Sequence, residues 1–85
     1  MDFEKVWQSI LAHAGDTFAI ANGETFTYTA FPNYIICSRA LTRNLSRKNF
    51  EKAYNTLGKV TPTEFNKTIQ GSSYVKAILT DARIG

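Results

Sequence analysis

The chain has 85 residues, of which 44% are hydrophobic, and a formal net charge of +3 at pH 7. That is one domain's worth of chain, too apolar for a disordered tail, and no stretch approaches the 18 apolar residues of a membrane-spanning helix. A single cysteine, Cys37, excludes an internal disulfide, and with a single histidine, His13, it cannot complete a Cys/His zinc site.

The first residues, Met1-Asp2-Phe3-Glu4, are acidic where a secretory signal would be basic. Together with the unpaired cysteine this predicts a cytoplasmic protein. Phe3, Val6, Trp7, Ile10, Leu11 and Ala14 fall on one stripe at helical spacing, with Glu4, Lys5, Gln8 and Ser9 opposite. A helix over 3–14 follows, with Asp2 placed to cap it and Gly15 to end it.

Period-two alternation predicts strands over 17–21, 24–31 and 34–38, with turns at Asn22-Gly23 and Pro32-Asn33. The first loop fixes a register. A two-residue loop would set Phe18 and Ile20 beside Thr25 and Thr27, whereas a three-residue loop, Ala21-Asn22-Gly23, sets them beside Phe26 and Tyr28. Burying four large side chains together favours the longer loop. Ile35 and Cys37 then continue that face, and Phe31, Tyr34 and Ile36 lie on the other.

The second half reads as three helices. Ser46 caps the first, with Leu45 and Phe50 as a hydrophobic staple and Gly58 as its stop. Thr61 caps the second, with Pro62 at its first position, Glu64 completing a capping box, and Val60 and Phe65 as the staple. Ser72-Ser73 start the third, striped by Val75, Ile78, Leu79 and Ala82. The fold class is therefore α+β in the order α-β-β-β-α-α-α. A three-stranded antiparallel meander carries the helices, which can cover both of its faces.

Nothing assembles into a catalytic constellation. The carboxylates Asp16, Glu24, Glu51, Glu64 and Asp81 are scattered, and no glycine-rich phosphate loop is present. The sequence points to no enzyme, cofactor, metal or membrane. Charge is distributed unevenly: residues 1–42 carry two cations against four acids, and residues 43–85 carry eight against three. The acid-free stretch 38–49 holds Arg39, Arg43, Arg47 and Lys48, with Asn44 and Asn49 as hydrogen-bonding neighbours. It leads into a predicted helix start, and Arg47 and Lys48 oppose the helix dipole there without an evident local gain. The expected function is a non-catalytic nucleic-acid-binding accessory module, contacting DNA or RNA phosphates through these six residues. Alignment on Gly58 puts Lys59, Glu64 and Lys67 where a helix-turn-helix needs apolar residues, so that motif fits poorly. The alternative is a protein–protein interaction module using Phe31, Tyr34 and Ile36, should the helices leave that face open.

Overall fold

The computed structural model describes residues 3–38 and 44–84. Helix α1 spans Phe3–Ala12, two residues shorter than its spacing predicts; of the predicted stripe Phe3, Val6, Trp7 and Ile10 are buried, Leu11 is half-buried, and Ala14 is exposed beyond the helix end. Two short strands follow, β1 (Phe18–Ala19) and β2 (Thr25–Phe26), paired antiparallel with Phe18 opposite Phe26. Ile20 donates its N–H to the Glu24 carbonyl at 2.9 Å, and Gly23 sits at φ +91°. The loop is thus the three-residue one, and Phe18, Phe26 and Tyr28 are buried together, with Ile20 packed against them.

A second sheet contains β3 (Tyr28–Phe31), β4 (Tyr34–Cys37) and β5 (Leu45–Ser46), all antiparallel in that order. Two details differ from the meander expected of the sequence. The predicted strand 24–31 breaks at Thr27, whose N–H donates to the Ser38 hydroxyl while its carbonyl accepts the Ser38 N–H. The chain passes there from the hairpin to the sheet. The third strand of the sheet is β5, not the first hairpin strand. Ile35 pairs with Leu45 and Tyr34 with Ser46, and the Arg47 N–H extends the pairing to the Asn33 carbonyl at 2.8 Å.

Ser46 ends that strand and also caps α2 (Arg47–Thr56), its hydroxyl accepting from the Asn49 N–H. Thr61 does the same for α3 (Pro62–Thr68), accepting from the Glu64 N–H. Helix α4 (Ser72–Leu79) starts from Gly71, which is in the left-handed region and supplies no side-chain cap. Leu45 and Phe50 are both fully buried, as a staple requires, whereas Val60 is left exposed beside the buried Phe65.

One core joins all of these elements. Phe3, Trp7, Phe50 and Tyr54 make a chain of aromatic contacts between α1 and α2 with centroid spacings of 5.5–6.4 Å. The Tyr28 hydroxyl reaches from β3 to the Ile10 carbonyl of α1. Cys37 is fully buried, and burial pushes its thiol up to about 12. The core takes in one face of the sheet: Tyr28, Ile35, Cys37 and Leu45 belong to it and Ala30 packs against it, while Thr29, Phe31, Tyr34 and Ile36 on the other face do neither. Of the two arrangements open to the helices, covering both faces or leaving one open, the outer face stays outside the core, with Tyr34 and Ile36 on it half-buried. Among the described residues no helix is long and apolar enough to cross a membrane.

Gly71 is the most crowded of the glycines among the described residues. A Cβ there would lie 2.8 Å from one methyl of the fully buried Leu45 at φ +63°, whereas at Gly58 (φ +81°) it would meet nothing within 4 Å. Gly58→Ala should cost about 1–2 kcal/mol for the left-handed backbone alone. Gly71→Ala should cost more, because Leu45 must also be displaced. Urea denaturation of the two variants checks this, and equal costs would refute the crowding at Leu45.

Candidate functional site

Of the six cationic and amide residues expected to contact nucleic acid, Arg39 and Arg43 lie outside the described residues. Asn44 and Lys48 are exposed. Arg47 is engaged in the fold. Its guanidinium is 2.6 Å from a Glu4 carboxylate oxygen and lies over the Phe3 ring, 5.8 Å from the centroid. The Gln8 amide at 2.8 Å and this guanidinium hold the Glu4 carboxyl below its usual range. Asn49 is likewise occupied. Its Nδ2 donates to the Gln70 carbonyl at 2.8 Å and its Oδ1 accepts the Gln70 N–H at 3.1 Å, which ties α2 to the α3–α4 connection. The structural gain that offsets an arginine at a helix start comes from Glu4, 43 positions away.

The alternative site is the outer face of β3–β4–β5. Phe31 and Tyr34 are cross-strand partners at the hairpin end, and their rings stack at 4.7 Å with planes 13° apart. Phe31 is 37% exposed, and Tyr34 and Ile36 are half-buried. Ile36 is on the same face, two residues along β4 and opposite exposed Thr29. These four side chains make an uncharged, largely apolar surface outside the core.

Two other features lie apart from both of these surfaces. A polar latch joins His13, Asp16, Asp81 and Arg83: His13 Nδ1 lies 2.9 Å from Asp16, and Arg83 meets both acids. The Arg83 guanidinium also donates to the Thr17 carbonyl and covers the Phe18 ring at 4.1 Å. A groove of about 680 Å³ opens between the first hairpin loop, the end of α2, α3 and α4. The Asp81–Arg83 and His13–Asp16 pairs are each local in sequence, whereas the contact that joins them and the groove bring together segments more than fifty residues apart. Among the described residues, no three of His, Cys, Asp and Glu gather around a common point that could hold a metal ion.

The Glu4–Arg47 pair makes a pH-dependent contribution. A carboxyl held below its ordinary value of 4.5 stabilises the fold above that pH, and the contribution disappears as pH falls through the lower folded value. The stability gap between the native chain and Glu4→Gln should be modest and constant from neutrality to about pH 5, then close as the pH falls further. Urea midpoints across that range measure it, and a gap independent of pH would show that the carboxylate charge contributes nothing.

Comparison of the chain with protein-family models, curated proteins and solved structures finds no match.

Proposed function

We propose that this chain is a small non-catalytic interaction module that meets a protein partner through the outer face of β3–β4–β5. The stacked pair Phe31 and Tyr34, with Ile36 beside it and outside the core, carries this reading. Aromatic side chains with few rotatable bonds give large contact areas at low entropic cost, and they anchor protein interfaces. The face carries no formal charge, so it complements an apolar protein surface and gives a polyanion nothing to hold.

Photo-crosslinking in the cells that make the protein tests it. A benzophenone side chain at position 31 should give a discrete heterologous adduct that is absent when the probe is moved to exposed position 52 on α2. With the crosslinked protein identified, Phe31→Ala should weaken its binding by about tenfold, or about 1.4 kcal/mol. Identical adducts at both positions, or only self-adducts, would overturn the assignment.

A second reading is supported by the exposure of Asn44 and Lys48 at the mouth of α2. With Arg39 and Arg43, Lys48 offers three cations to phosphates, which implies a log–log salt slope of about −3 on duplex DNA. Changing Arg39, Arg43 and Lys48 to Ala together should flatten that slope while sparing the Glu4–Arg47 pair. Fluorescence anisotropy with labelled duplex and single-stranded oligonucleotides across a salt series measures it. Absence of binding at low salt, or an unchanged slope in the variant, would eliminate nucleic acid as the partner.

A further inference from the structure

The groove between the first hairpin loop and helices α2, α3 and α4 lies on residues that neither reading above uses. We propose that it binds a small amphipathic carboxylate, with an apolar body in the groove and one anionic head at Lys76. Its volume of about 680 Å³ is within the range of small-molecule sites. Its apolar wall is built by Ile20, Leu57, Val60, Phe65 and Ala77. Val60 is 40% exposed, although its position before the Thr61 cap suits a staple that would shield it. Water at this side chain is unfavourable, and an apolar ligand lying along the groove would displace it.

Charge selects the head group. Two charged residues line the groove, Lys76 and Asp81. Asp81 is already paired: Arg83 Nε meets its Oδ1 at 2.9 Å and Arg83 Nη2 its Oδ2 at 3.1 Å. Lys76 is exposed and forms no ion pair among the described residues. The groove therefore presents a lysine with no ion-pair partner among the described residues beside an apolar surface. Ser73 stands one helical turn before Lys76, at a spacing that puts the two on one side of α4, and its hydroxyl can donate to the same carboxylate. A cationic head would face Lys76 with like charge and find Asp81 already taken.

Titration of the isotope-labelled protein with sodium octanoate, followed by amide NMR at fixed ionic strength, tests the assignment. Saturable shifts should cluster at Ile20, Val60, Phe65 and Ala77, with dissociation in the low-millimolar range expected of so few ligand atoms. Octylammonium should bind at least tenfold more weakly. Lys76→Gln, a change at an exposed position, should weaken octanoate about fivefold and bring the two head groups closer together in affinity. Ala77→Phe should abolish the shifts by filling the groove, with its amide spectrum confirming the fold. Non-saturable shifts, equal affinity for the two head groups, or shifts centred on Phe31 and Tyr34 would each overturn the proposal.

Discussion

The placement of Trp7 decides where most of the other elements go. The side chain is 1% exposed, so its indole N–H must find an acceptor inside the protein, and it donates to the Pro32 carbonyl at 3.1 Å. Its ring lies against Phe50 of α2 and Phe3 of its own helix. One residue thus fixes α1 against both the β3–β4 turn and the first helix of the second half. The same turn accepts the Arg47 N–H through Asn33, so α2 is registered to it a second time. Phe31 and Tyr34 flank that turn, and their outward presentation follows from a contact made on the inner side.

Much of this was legible because it is local. The stripe of α1, the Ser46 and Thr61 caps and the three-residue first loop each depend on residues within a few positions of one another. The placement of Tyr28, Ile35 and Cys37 on the inner face follows from alternation, and the three-residue loop brings Phe18 and Phe26 into the same core from a separate hairpin. β5 was not legible: Leu45-Ser46 is too short to show alternation, and it becomes a strand only because β4 offers it an edge. The break at Thr27 has the same character, since Ser38 supplies the partners for both of its backbone groups.

The candidate site divides along the same line. Opposite faces for Phe31 and Tyr34 against Ile35 follow from alternation, so the outer patch could be read from the chain. The engagement of Arg47 could not, because Glu4 and Phe3 belong to a distant helix. Polar residues in a connection look alike in sequence whether they face solvent or brace a neighbouring element. Asn49 and Arg47 brace, whereas Asn44 and Lys48 face solvent.

The Arg83 latch bears on the order in which the molecule comes together. Its guanidinium bonds back 66 positions to Thr17, and its carbonyl accepts from Ser9, 74 positions away, while neighbouring Ile84 is buried in the core. Contacts of such separation close large loops and form late, after local turns have done what they can. A nascent chain that has reached only α3 therefore holds Phe18 without its cover and the first helix without its far anchor. Completion of the core waits for the turn over 81–84, which brings in Ile84. During that interval the first hairpin is the segment with most to gain from a chaperone.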